Sequence, residues 1–573
     1  MSNISMFTIG NSFEASGSHG LNSPPEACNS PVAALDGFDF VWALQSDVVN
    51  RQLATMQHAG FIPWTLQAGD LEEAGLMIGG EGDDRAVLAA PEIHFETGLP
   101  RTAALVLTFI GGNMRIPNGY AGGDVLRQPL AGWRLAFQVR VQLQAVPMRD
   151  LLNGAAAACP ASVNRLGRFD EAYYRVQAAM LDFEQSDLRH ADALNTRLDT
   201  DNAFLADRFT ELVGKWLKQL AGNGNPFVLG YVVTRKTHAD DILDRMQPSG
   251  ANLAANGTLN FLQVVGDRKI AHDPRLYGEQ AGHFQPQRLA DGSAGKLVIA
   301  RGMFLNDFVR PLLVEPIRER LSALPDYVHA RRGQGDELDR IESLNEKSGA
   351  MATLDNGARA GFVPEADGWR YRDHVLLHWR EVGNAGERSH DRESEQDWQF
   401  HIGVSNQPDV EGIERLTFDL TSSLMRYEWD RLNQKSGPFM RKTYLGKGWA
   451  RTSMAWTMRL QCVPTARGGI ALTVNGRQAP AATDSGVVGM YVVSDARSHL
   501  LNMNKIGIDW EGNAAGMAAL QRTVVAQFGA AVSAMFGQAT GHLVLPAGPQ
   551  LAYRGVRLDG DGNIELELAH EER

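Results

Sequence analysis

Cysteine is nearly missing: Cys28, Cys159 and Cys462 are all that 573 residues contain. Thiols so few and so far apart cannot build a disulfide framework, and no pair has the short spacing of zinc ligands. They read as reduced thiols in a protein made inside the cell. Long apolar runs are also lacking. No window approaches the ~20 apolar residues of a membrane-spanning helix. The opening, MSNISMFTIGNSFEASGSHG, has neither the basic start nor the apolar stretch of a secretory signal. The expectation is a soluble protein, cytoplasmic as made, whose release would need a non-classical route. Positive charge is in deficit, with 55 Lys and Arg against 67 Asp and Glu and a net charge of −12. Phosphate binding needs clustered cations, so nucleic acid is not expected as a main partner. Signatures of catalysis are missing as well: there is no Walker loop, G-x-G-x-x-G, H-E-x-x-H or G-x-S-x-G element. No nucleophile, base and orienting group can be assembled, so neither an enzyme nor a cofactor is expected.

What the chain does contain is an ordinary globular composition, 44% hydrophobic and 21% charged, with a surplus of glycine, 59 residues, that favours strands and turns. Its length predicts two to four domains. The most informative stretch is 38–58, FDFVWALQSDVVNRQLATMQH. Phe38, Phe40, Trp42 and Leu44 recur at every second position, which on a strand puts them on one face. Beyond Ser46 the spacing becomes Val49, Leu53, Met56, the stripe of an amphipathic helix. Ser46 suits the N-cap and Gly60 the exit. A strand feeding directly into a helix that must face it predicts a helix cradled by sheet.

Further along, residues 1–30 are polar and predict a loose arm, and 31–160 read mainly as strands. Alternation at 103–110 with apolar residues on both faces predicts a strand covered on each side. Tyr174, Val176, Ala178 and Met180 predict another. A helix over 201–221 carries Leu205, Phe209, Leu212 and Trp216 on one stripe. Thr200 or Asp201 can cap it and GNGNP can end it. A helical stretch over 304–324 should be broken into two pieces by Pro311 and Pro316. Residues 331–360, charged and poor in large apolar groups, read as a connector with helix at 336–347. Strands return at 416–420, 454–462 and 470–474. A last helix over 514–536 would present Val524, Phe528 and Val532 on its apolar seam. The expected organisation is α+β and elongated: an arm (1–30), a first domain (31–330), a connector (331–360) and a second domain (361–573).

Polar constellations are weak. Asp559, Asp561 and Asn563 begin like a calcium loop, yet Ile564 stands where glycine is needed and His570 where glutamate is, so a hairpin turn is expected. His374 and His378 could share a helix face as metal ligands or lie on a strand; no metal is expected. HDRESEQD at 390–397 reads as a solvated loop. Lys435, Arg441, Lys442, Lys447 and Arg451 cluster without an intervening acid, interleaved with Phe439, Tyr444 and Trp449. Such a patch can meet anionic headgroups, or can be the solvated face of a strand pair.

Three segments carry a resemblance: LDGFDFVWALQSDVVNRQL at the start, PFVLGYVV with GTLNFLQVV in the middle, and TGHLVLPAGPQLAYRGVRLDGDGNIELEL at the end. In this order the chain resembles the clostridial neurotoxin-cluster "P forty-seven"/OrfX-like family of the TULIP (tubular lipid-binding) superfamily. Phe38 replaces a family Trp, and Ala547 interrupts a Pro-Gly pair. The resemblance implies two domains, each with a long helix cradled by a curved antiparallel sheet, and a groove for lipid or another long apolar molecule. Val49, Leu53, Met56, Leu205, Phe209, Leu212, Trp216, Val524, Phe528 and Val532 would then be ligand contacts, although the same stripes can close as ordinary core. Lys435, Arg441, Lys442, Lys447 and Trp449 would meet a membrane surface. Toxin-cluster proteins are implied as partners, with an insecticidal role by analogy. The alternative is a structural partner of such proteins without a ligand.

Overall fold

The computed structural model describes residues 35, 37–73, 75–99, 101–117, 125–152, 159–236, 247–266, 293–316, 328–330, 349–354, 362–365, 368–382, 388–408, 414–436, 441–464, 470–474, 477–478, 487–499, 506–508, 530–531, 534, 542–548, 551–558 and 562–570. Antiparallel sheet dominates, and its largest sheet curls as a half-barrel. Fifteen strands form that sheet and eight form a second. Among the described residues helices are few: α1 (Ser46–His58), α2 (Met148–Leu152), α3 (Pro160–Leu166) and α4 (Ala203–Gly222), with a π-helix at Met303–Val314.

Strand β1 (Phe40–Leu44) lies inside the large sheet, antiparallel to both Thr258–Val265 and Gly295–Ile299. Its alternation has the expected effect. Phe40, Trp42 and Leu44 enter the main core, whereas Val41 and Ala43 join Leu262, Val264 and Val298 on the other side. Phe38 precedes the strand and packs with that second group, so it does not share the Phe40 face. The sheet pairing ends with Gln45 N–H donating to the Ala294 carbonyl, 3.2 Å. Helix α1 therefore starts one residue earlier than expected: Gln45 is the N-cap and Ser46 is already helical. Gly60 closes the exit at φ +83°. Polar side chains bolt α1 to its surroundings. The Asn50 amide exchanges two hydrogen bonds with the Ile93 backbone at 3.2 and 2.6 Å, and Gln52 Oε1 accepts from Ala547 N–H at 3.0 Å.

The second sheet is built on Thr102–Gly111, Arg134–Val146, Tyr174–Asp182 and Val228–Arg235, paired in that order. The two sheets meet where Phe261 sits over Gly230: a Cβ on that glycine would come within 2.9 Å of Phe261 Cζ. Helix α4 starts from Asn202, whose Oδ1 accepts from Leu205 N–H at 3.3 Å, so neither Thr200 nor Asp201 is its cap. Gly214 lets α4 approach Leu188, since an added Cβ would stand 2.5 Å from the Leu188 carbonyl oxygen. Alanine favours a helix over glycine by ~1 kcal/mol. Backbone cannot yield as a side chain does, so Gly214→Ala should nonetheless destabilise by about 2 kcal/mol. A lowered urea midpoint checks this; a raised one would show that α4 has room to shift.

The segment 542–548 crosses between elements far apart in sequence. Leu543 and Val544 pair with Val232 and Tyr231, and Ser162 Oγ donates to the Leu545 carbonyl at 2.7 Å. His542 is buried beside Phe169 and Tyr174, with Nδ1 donating to the Val233 carbonyl at 3.1 Å. Burial pushes its imidazolium down to about 4; the Val233 carbonyl opposes this and Arg235 adds to it. The unfolded imidazole titrates near 6.5. Stability from the neutral ring is thus complete above about pH 6.5 and is lost as pH falls towards 4, by roughly 3 kcal/mol. Stability measured from pH 7 to 4 should fall by about that amount, and His542→Gln should flatten the slope.

Four long strands extend the large sheet: Gly368–Val382, Arg388–Pro408, Glu414–Ser436 and Arg441–Pro464. Residues 390–397 are part of this ladder, not a loop. In the register Asp391 is opposite Arg431 and Arg392 is opposite Asp430. His374 and His378 are in the first long strand. Within the expected connector, Gly349–Leu354 is a strand; residues 331–348 lie outside the described residues. Pro311 is carried inside the π-helix without a break, where two separate pieces were expected. Of the last expected helix, residues 530, 531 and 534 are helical and the rest lie outside the described residues. Leu551–Leu558 and Ile564–His570 form the expected hairpin, with Leu558 opposite Ile564. It joins the sheet through Gly295–Ile299.

Candidate functional site: an apolar interior

One apolar cluster runs from Phe40 to Leu568 and draws on both sheets, α1, α4 and the π-helix. Val49, Leu53 and Met56 project from α1 into it and are fully buried. Met56 Sδ lies 3.4 Å from Cys159 Sγ. Burial raises the Cys159 thiol above its ordinary range and pushes Cys462 up to about 12, so both behave as small hydrophobes. From α4, Phe209, Leu212 and Trp216 are buried, and Leu205 is half-buried at the cluster's margin. Phe209 meets Trp133 edge-on at 4.8 Å between ring centres and Phe109 at 5.3 Å. The two helical stripes therefore reach one interior. Val524, Phe528 and Val532 lie outside the described residues.

The far wall is the large sheet. Phe400, Ile402, Leu416, Phe418 and Leu420 are buried there, and Phe418 stacks on Phe304 of the π-helix at 5.8 Å. Register carries the ladder outward, with Trp398 opposite Leu424, Leu424 opposite Met454, and Met454 opposite Val492 of the strand Val487–His499. Sequence reading found the alternation at 416–420 and 454–462 but not that these strands pair with each other and with Arg388–Pro408.

Reading also passed over Gln263. It is the one polar residue on the inner face of Thr258–Val265, between Phe261 and Val265, and it is 1% exposed. A lone Gln in the run LNFLQVV was the available signal. Neither its Oε1 nor its Nε2 has a hydrogen-bond partner among the described residues, and the same holds for Trp42 Nε1.

The basic patch occupies two paired strands. Lys435 pairs with Lys442, Ser436 with Arg441, Arg431 with Lys447, and Trp429 with Trp449. The strand on the other side brings Asp391 opposite Arg431, Glu393 opposite Trp429 and Glu395 opposite Tyr427. Acids absent from the local sequence thus stand in register with Lys447, Trp449 and Arg451 across one intervening strand, whereas Lys435, Arg441 and Lys442 lie toward the ends of their strands. Among the described residues no group of three or more His, Cys, Asp or Glu could hold a metal. No helix among them is long and apolar enough to cross a membrane.

No protein-family model matches the chain, and no curated protein matches it in sequence. Among solved structures it is similar to P47 from Clostridium botulinum A2, at 11% identity and a TM-score of 0.43, over 93% of this chain and 98% of that one. It is also similar to P47 of Clostridium botulinum E1, at 9% identity and a TM-score of 0.42, over 93% and 99%. A lipopolysaccharide binding protein follows at 9% identity and a TM-score of 0.21, over 94% and 99%.

Proposed function

We propose that the chain binds lipid or another long apolar ligand without catalysing a reaction. The observation that supports this is the single apolar interior shared by two sheets and by helices distant in sequence. Residues from position 40 to position 568 meet in it, so elements distant in sequence face a common apolar interior. Burying each CH₂ contributes ~0.8 kcal/mol, so a sixteen-carbon chain could supply on the order of 10 kcal/mol before ordering costs. No reactive group is needed for that affinity. In this reading the chain has two TULIP-like units, each with a long helix against curved sheet, and a toxin-associated role, insecticidal or otherwise, rests on the resemblance of the three segments.

Saturable displacement of a fluorescent alkyl probe by single-chain or two-chain lipids, with a rise in melting temperature, is the expected result. Failure of both kinds of lipid to displace the probe or stabilise the chain would overturn the reading. A structural partner without ligand is the second reading, and exposed Leu194 and Phe204 on the approach to α4 favour it. A protein partner that stabilises the chain while no lipid does would establish it.

Membrane contact through Lys435, Arg441, Lys442, Lys447 and Trp449 is part of the proposal. Each basic residue near an anionic surface contributes about 1 kcal/mol. Neutralising Arg441, Lys442 and Lys447 should weaken sedimentation with phosphatidylserine vesicles at low salt by about tenfold or more. Unchanged sedimentation would remove the patch from the mechanism.

A further inference from the structure

Gln263 and Trp42 are placed where polar groups are least expected. On β1, Phe40 is directly opposite Gln263, and Trp42 is directly opposite Phe261. The two polar side chains are therefore diagonal neighbours on one face, with backbone positions about 7–8 Å apart. Around them stand Phe261, Val265 and Ala251, and Leu297 faces Trp42 from the other side. Trp42 is 2% exposed and Gln263 1%. A buried carboxamide offers two donors and an acceptor, and leaving them unmade is costly. Natural interiors rarely keep such groups unless something completes them. Here an N–H from the indole and a donor–acceptor pair from the amide lie together in an otherwise apolar wall.

We propose that Gln263 and Trp42 anchor the polar end of a single-chain fatty acid, taken up in its neutral form. A carboxylic acid and a carboxamide are complementary and close a ring of two hydrogen bonds. Gln263 Nε2–H donates to the acid's carbonyl oxygen, and the acid's O–H donates to Gln263 Oε1. The Trp42 indole N–H donates to the remaining lone pair of that carbonyl. An ionised carboxylate does not fit as well, because it cannot donate to Oε1; the Arg101 guanidinium, at Leu253 on the next strand, is engaged by the Leu253 carbonyl and Asn252 Oδ1. The acyl tail would run along the apolar interior. This inference rests on the lipid-binding reading and specifies which end group the interior recognises.

The test compares decanoic acid, methyl decanoate and decane as competitors for an alkyl probe on the full chain stripped of lipid. The ester keeps the carbonyl but cannot donate. Decane has neither function. At pH 5, where about half of the acid is neutral, it should bind about 10- to 100-fold more tightly than the ester, as expected for one lost hydrogen bond and one orphaned acceptor. Its affinity should fall about tenfold per pH unit above the acid's own pKa near 5, because only the neutral form fits. Gln263→Leu should remove the acid's advantage over the ester while leaving decane within about threefold. Trp42→Phe should weaken the acid several-fold and serves if the leucine variant fails to fold.

Equal affinity for acid and ester at pH 5 in the unaltered chain would overturn the anchor while leaving apolar binding intact. So would an acid preference that survives both substitutions, or a Gln263→Leu variant that is merely more stable, as expected if the amide holds only a buried water. If none of the three compounds competes, the lipid-binding reading itself fails, and the anchor with it.

Discussion

Replacing Glu565 by leucine is expected to destabilise the protein by about 3–5 kcal/mol, the range for stripping one member from a buried ion pair. Glu565 Oε1 lies 2.8 Å from Lys296 Nζ, and both side chains are at most one-tenth exposed. Its other oxygen accepts from Arg557 Nε at 3.0 Å, and that arginine is half-exposed. The leucine variant leaves the Lys296 ammonium inside the sheet without its carboxylate. Lys296→Met should cost less, about 1–2 kcal/mol, because Glu565 keeps Arg557. The double variant should recover most of the loss, since an apolar pair of similar volume needs no desolvation. Urea unfolding of the two single variants and the double variant measures all three. Additive losses would mean that the pair does not act as a unit. The pair matters for more than stability, because it joins the last strand to Gly295–Ile299 and so fixes the seam of the large sheet.

The second large effect is expected at Phe209. Its ring is fully buried, edge-on to Trp133 and tilted against Phe109. Phe209→Ala removes that ring from an interior held on three sides and should cost about 3–5 kcal/mol. Phe209→Leu should cost far less, about 1 kcal/mol, because volume is largely kept. Ligand binding separates the roles of this residue. If Phe209 only fills core, the leucine variant keeps the affinity of the unaltered chain for a long-chain ligand. If it lines the ligand path, affinity changes even where stability does not.

Much of the architecture could be read locally. The stripes of α1 and α4, the two-faced strand at 102–111 and the final hairpin all depend on spacing within a few residues, and each is present. Misplacements occur where a distant partner decides. Ser46 looked like a cap, but the sheet bond from Gln45 to Ala294 ends the strand one position earlier. Thr200 and Asp201 stood ready for α4, yet the chain turns so that Asn202 meets Leu205. Phe38 obeyed the alternation on paper but lies outside the strand. The charged run 390–397 looked like a loop because its opposite charges are some forty residues away, on the next strand.

The same cause hid features of the candidate sites. Only register shows that Asp391, Glu393 and Glu395 stand next to the basic strand pair. Only burial shows that the Gln263 amide and the Trp42 indole N–H are left together in an apolar wall. An isolated glutamine in a hydrophobic strand carries no message until its neighbours are known.

The most direct measurement is the mass of the intact protein under native conditions, before and after organic extraction. A ligand-bearing species that loses a lipid-sized mass on extraction, with the extracted compound rebinding near one per chain, is the expected result. A chain that carries no such mass from its producing cell and takes up none from added lipid would contradict an interior built to hold one.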